Sequence, residues 1–147
     1  EISRTLDADG DALTLESLAQ YIESHDNKTS FLLGIFTKDG KHIGTHSFRH
    51  YPRHKLATVG VMIGDRDFWG KAVPLETRSR VLDWAFDVLD CNKVEAGCYS
   101  INLPSIYNFK RQHWRMEGVR KSHRVVDGKP VDMILFGMLR EEWNVQR

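Results

Sequence analysis

The sequence predicts an α+β domain built on a single mixed, mostly antiparallel sheet flanked by helices. Three observations predict it. Asp39-Gly40 and Asp127-Gly128 each lie between β-rich runs, and Asp-Gly tolerates the positive φ angles of a tight hairpin. Segments with apolar residues at helical spacing separate some of the strands but not others, which points to one mixed sheet. The chain has 147 residues, 41% hydrophobic and 28% charged, with no repeat, linker or low-complexity tract, so one domain over 1–147 accounts for it.

The elements follow in order. A first helix is predicted from Thr14 to Ser24, with Thr14 as N-cap and Glu16 in the first turn. Leu15, Leu18, Ala19 and Ile22 give it one face for burial. Residues 1–13 are polar and show no period. Phe31–Phe36 reads as a strand, His42–Tyr51 as its return, and Leu56–Ile63 as a third strand apolar enough for burial on both faces. Gly64–Ala72 is a loop, and Val73–Leu89 a helix with Pro74 in its first turn and a stripe of Val81, Leu82, Ala85, Val88 and Leu89. Lys93–Ser100 reads as a central strand. Asn102 caps a short helix ending near Gln112, and Gly118–Val126 and Val131–Leu139 form the last hairpin.

Composition excludes several functions. Lys plus Arg total 21 and Asp plus Glu 20, a net charge of +1 that gives no case for a general nucleic-acid binder. No apolar run approaches the roughly 20 residues of a membrane span. Cys91 and Cys98 are too few for a disulfide framework, and a cytoplasmic location is the expectation.

Two constellations carry chemistry. In Phe68-Trp69-Gly70-Lys71-Ala72 a strand-to-helix turn uses small residues at Gly70 and Ala72, which lets a ligand reach the unpaired N–H groups and positive dipole end of the helix. Such a turn binds phosphate, although glycine also serves tight packing there. Asn102-Leu-Pro-Ser105 opens the next helix directly after a strand, where a plain N-cap is the simpler reading.

Taken in order, these segments resemble the GNAT superfamily of N-acetyltransferases. The look is nearest to the branch of ribosomal-protein N-terminal acetyltransferases and acetyltransferases of nucleotide-linked amino sugars. The resemblance runs from Ile2 to Trp143. It rests on His42-Ile43-Gly44-Thr45, on Phe68–Ala72 followed by Glu76, and on Leu82-Asp83-Trp84-Ala85-Phe86. It continues through Lys93–Gly97, Asn102 with Ser105 and Ile106, Glu117-Gly118, Asp132 and Glu141-Glu142-Trp143.

The resemblance implies acetyl-CoA as co-substrate. Backbone amides of the loop and first turn, over Phe68, Trp69, Gly70, Lys71, Ala72 and Val73, would hold its pyrophosphate. Val61, Met62 and Ile63 on a splayed third strand would line the pantetheine arm, Asn102 would bond its amides, and Phe109 would stand near the thiol. Asp67 occupies the position where the family has Gln or Arg. The chemistry implied is direct attack of a primary amine on the thioester, helped by a base and by a donor at the sulfur. The usual tyrosine donor is replaced by Phe109 and the usual glutamate base by Thr58, so Ser105 is the expected donor, Tyr99 a weaker one, and no base is identified. The expected acceptor is a nucleotide-linked amino sugar, with a protein or peptide N-terminus second and a non-catalytic acyl-CoA-binding module third. Family habit also implies a homodimer paired through the final hairpin, and a first strand and part of a first helix preceding residue 1.

Other features carry less. His42, His46, His50 and His54 recur every four residues, but on a strand that is about 13 Å, too far for one metal ion. Arg49–Lys55 and Arg120, Lys121 and Arg124 read first as solvated basic turns, with service to a phosphate-bearing acceptor as the second reading. Trp84 and Trp114 read as core, and both cysteines as inert.

Overall fold

The computed structural model describes residues 14–147; residues 1–13 lie outside the described residues. The elements are α1 (Leu15–Glu23), β1 (Ser30–Phe36), β2 (His42–Tyr51), β3 (Leu56–Ile63), α2 (Val73–Asp87), β4 (Lys93–Tyr99), α3 (Leu103–Arg111), β5 (Arg115–Val126), β6 (Lys129–Leu139) and α4 (Arg140–Gln146). Six strands form one sheet in the order β1-β2-β3-β4-β6-β5, parallel only between β3 and β4. The mixed, mostly antiparallel sheet is therefore as predicted, with β4 inside it.

Strand alternation divides the sheet into two faces. Phe48, Ala57, Val59, Val94, Ala96, Cys98, Phe136 and Met138 point to one side and meet Val81, Leu82, Ala85 and Phe86 of α2, Phe109 of α3 and Trp143 of α4. Ala57, Leu82, Ala85, Phe86, Val94 and Met138 there are wholly buried. The third strand is thus buried on one face only, because Thr58 and Gly60 alternate with its buried residues.

Three further features differ from the sequence reading. Thr14 caps α1 as predicted, its hydroxyl accepting the Ser17 N–H at 3.0 Å, but the apolar face is uncovered, with Leu15 89% and Ile22 58% exposed. Periodicity specifies a stripe, not a partner for it, and no described element packs over this one. α2 stops at Asp87 and leaves Val88 exposed, since the Cys91 N–H turns back to the Ala85 carbonyl through Asp90 in a left-handed conformation. α4 has no counterpart in the sequence reading. Glu142 accepts the Leu139 N–H and Trp143 donates its indole N–H to Asp83 on α2, so Glu141-Glu142-Trp143 is a cap and an anchor.

Candidate functional site

The site begins where the sheet comes apart. β2 and β3 stay paired from Tyr51 and Leu56 to Gly44 and Ile63. On its other edge β3 pairs with β4 only at Leu56–Lys93, Ala57–Val94 and Thr58–Glu95. Beyond Thr58 and Glu95 the two strands diverge. Val61, Met62 and Ile63 form one rim of the opening; Tyr99 and the start of α3 form the other.

Above the first rim the chain builds the turn into α2. Asp65 accepts the Asp67 N–H and starts a single 3-10 turn over Arg66–Phe68. The Trp69 indole N–H donates to the Ile63 carbonyl at 2.9 Å, pinning the turn to the end of β3. Gly70 has φ +72° with open space around it, a conformation that glycine adopts without strain. No hydrogen bond among the described residues engages the N–H of Gly70, Lys71, Ala72 or Val73, and Ala72 provides no side-chain cap. Four donors with no partner among the described residues thus lie at the positive end of a fifteen-residue helix. Lys71 leans over the Phe68 ring beside it, and Asp67 is exposed.

On the second rim Asn102 caps α3, its Oδ1 accepting the Ser105 N–H at 3.2 Å. Ser105 is half-buried at this helix start, and Tyr99 is buried at the end of β4. Phe109 departs from the expectation of a cofactor contact. Its ring is 4% exposed, stacked on Phe136 at 4.4 Å, edge-on to Trp114, and capped by the Arg78 guanidinium at 4.2 Å. It belongs to the core beneath α3, because the buried Arg78 needs aromatic faces around its charge. Gln112 accepts from Arg78 and Trp114 and donates to Ser79, and burial lowers the Arg78 pKa to about 10.

The sheet face away from α2 carries a cleft of about 690 Å³ between α1 and all six strands. Glycines form part of its floor: a Cβ on Gly97 would lie 3.2 Å from Met133 Sδ and 3.3 Å from the Ile134 carbonyl. Thr58 and Glu95 sit side by side here, at the last paired position before the strands diverge. Lys93 Nζ bridges Glu95 at 2.9 Å and Glu117 at 2.8 Å. A register shift between Met116 and Gly118 re-aims Glu117 over Gly137, the β6 residue paired with Glu95, where only a residue without a side chain leaves room. Sequence reasoning quoted Lys93, Glu95 and Glu117 but gave them no role; the alternation of β4 was the available signal for Glu95.

An adjoining recess of about 540 Å³ is lined by Arg49, His50, Arg53 and His54. Arg49 and Arg53 have no ion-pair partner among the described residues. Asp26, in the same recess, accepts the N–H groups of Lys28, Ser30 and Thr29, which hold its carboxyl far below the usual range. His50 Nε2 is buried with no hydrogen-bond partner among the described residues.

The remaining candidates separate from the site. His46 is buried under α2, its Nε2 2.8 Å from Thr77 Oγ1, and burial, then the Arg78 charge, lower its pKa to about 4. Burial raises the thiols of Cys91 and Cys98 to about 11, so neither is a ready nucleophile. No group of three metal-ligating side chains occurs among the described residues.

Known proteins share this architecture. The spermidine N-acetyltransferase of Vibrio cholerae, solved in complex with CoA and spermine, superposes with a TM-score of 0.84 over 92% of this chain and 81% of its own, at 15% identity. In sequence the chain is 28% identical over 102 residues to "Uncharacterized N-acetyltransferase p20" of Bacillus licheniformis, covering 69% of this chain and 57% of that protein. It is 29% identical over 128 residues to "Probable N-acetyltransferase YjcK" of Bacillus subtilis (strain 168), covering 85% and 70%. The chain therefore spans little more than half the length of the first of these relatives. The neighbours' acceptors include spermidine, so the likeness does not single out the ribosomal-protein or amino-sugar branch. The acetyltransferase (GNAT) domain model matches residues 3–114, about three quarters of the sequence, and the chain belongs to that family.

Proposed function

We propose that this chain is an acetyl-CoA-dependent N-acetyltransferase acting on a primary amine. The observation that carries the reading is the three-pair contact of β3 with β4, which opens beside the amides of Gly70–Val73. A pantetheine arm fits the opening, hydrogen-bonded to the backbone of Val61, Met62 and Ile63. The pyrophosphate sits on the amides of Gly70, Lys71, Ala72 and Val73, with Phe68 and Trp69 shaping the turn. Asn102 keeps its Nδ2–H groups for a pantetheine carbonyl while Oδ1 caps α3. Ser105 lies at the sulfur end as the donor to the leaving thiolate; Tyr99 is buried at the end of β4, and Phe109 supports α3 from the core.

The amine enters from the opposite face, through the cleft holding Glu95 and Glu117. Its body carries phosphate, as in a nucleotide-linked amino sugar. Arg49 and Arg53 of the neighbouring recess, which have no ion-pair partner among the described residues, and Arg120 in the cleft itself, favour that class. Calorimetric titration with acetyl-CoA tests the cofactor half: micromolar binding is expected, absent in Gly70→Trp, and unchanged binding in that variant would refute the placement. Thiol release with a uridine-diphosphate-linked amino sugar, an alanyl peptide and spermidine tests the acceptor half. Faster turnover of the peptide or of spermidine would overturn the phosphate assignment. Binding without turnover of any amine would leave an acyl-CoA-binding module.

A further inference from the structure

The family position for a base holds Thr58, which has no proton-accepting charge, yet acetyl transfer to an amine releases a proton from nitrogen. We infer that Glu95 takes it. The inference rests on the transferase reading above and deepens it.

Four observations converge on this carboxylate. In a parallel pair, residues in register put their side chains on the same face, so Glu95 stands beside Thr58 and can serve the same point in space from the neighbouring strand. It is the last residue of β4 before the strands diverge, so it borders the opening where the thioester would lie. Its side chain is 39% exposed into the cleft, within reach of an entering amine. Lys93 holds Oε1 at 2.9 Å, while no hydrogen bond among the described residues engages Oε2.

The other charges near it have separate tasks. Lys93, on the same strand, fixes Glu95 and shares its charge with Glu117 from β5. Arg49 of β2, Arg120 and His123 of β5, and His25 beyond the end of α1 also line the cleft. Arg49 is also in register with Thr58, from the β2 side, but a guanidinium accepts no proton; Glu95 is the carboxylate that stands in register with it.

In the step, the lone pair of a neutral amine forms the C–N bond at the thioester carbonyl. Glu95 Oε2 accepts the proton that nitrogen loses, directly or through one water. The C–S bond then breaks with its electron pair on sulfur, and the thiolate takes a proton supplied through Ser105. Glu95 returns its proton to solvent, so the products are the amide and coenzyme A thiol with no net charge left on the protein.

The test compares wild type, Glu95→Gln and Glu95→Asp. Acetyl transfer is followed by thiol release, with hydroxylamine as a small nucleophile needing no recognition and with the best amine of the acceptor panel. Glu95→Gln is expected to lose about 100-fold or more in kcat/KM at neutral pH. The loss should shrink as pH rises and hydroxide substitutes for the base, while acetyl-CoA affinity and Tm stay at wild-type values. Glu95→Asp should recover part of the rate. A Glu95→Gln rate within threefold of wild type, or a loss equal at every pH, would overturn the inference. A wild type that binds acetyl-CoA yet accelerates neither reaction would overturn the transferase reading and this inference with it.

Discussion

The β3–β4 junction contains two regions of opposite character within eight residues. From Leu56 to Thr58 the strands are hydrogen-bonded, and the residues around them, Ala57, Val94 and Met138, are wholly buried. From Val59 onward the same strands part, and side chains give way to Gly60 and Gly97. One region converts apolar surface into stability; the other forgoes a ladder and keeps backbone groups available to a ligand. A substitution in the closed region should therefore cost stability, and one in the open region should cost function.

The largest expected effect lies in the closed region. Met138→Ala removes a wholly buried side chain paired in register with Val94 and should destabilise by about 2–5 kcal/mol in urea denaturation, with acetyl-CoA affinity preserved at low denaturant. Loss of affinity in folded protein would mean that the two regions are not separable.

Acidification probes the layer between the sheet and α2. The folded His46 imidazole titrates near 4 against 6.5 for the free group, so between those values the unfolded chain binds the extra proton. Stability from this group is complete above pH 6.5 and falls towards pH 4, by about 3 kcal/mol in total. His46→Gln, measured by denaturation at pH 7 and pH 4.5, should flatten that slope; an unchanged slope would place the titration elsewhere.

Gly97→Val addresses the open region. Its new atoms would press on Met133 and the Ile134 carbonyl, costing about 1–3 kcal/mol, while acetyl transfer should fall far more than stability does. Equal losses would argue against a cleft at this strand. The smallest effect belongs to Thr14→Ala, which removes the α1 capping box. It should cost about 1 kcal/mol or less locally, seen as faster amide exchange in α1 with little change in global unfolding, because no α1 residue is buried.

Much of the fold was legible in sequence because its signals are local. Asp127-Gly128 places two consecutive residues at positive φ, and the hairpin follows. Asn102 and Pro104 mark the start of α3, and Gly70 marks the turn into α2. Less local features did not show. Phe109 reads as a residue beside the thiol, but Arg78, 31 positions earlier in the chain, lies over its ring and sets it in the core. Glu117 depends on a bulge that no residue pattern announced, and Glu95 on a register with Thr58 across the intervening helix.

The sequence by itself determined the first three helices, the six strands, the glycine turn and the cap of α3, since each depends on neighbours a few residues away. Only the tertiary structure decided which carboxylate stands beside Thr58, which arginines line the recess beside the cleft, and where the sheet opens. Those outcomes depend on strand register and on divergence between segments far apart in the chain, and a strand's own residues do not encode what lies across from it.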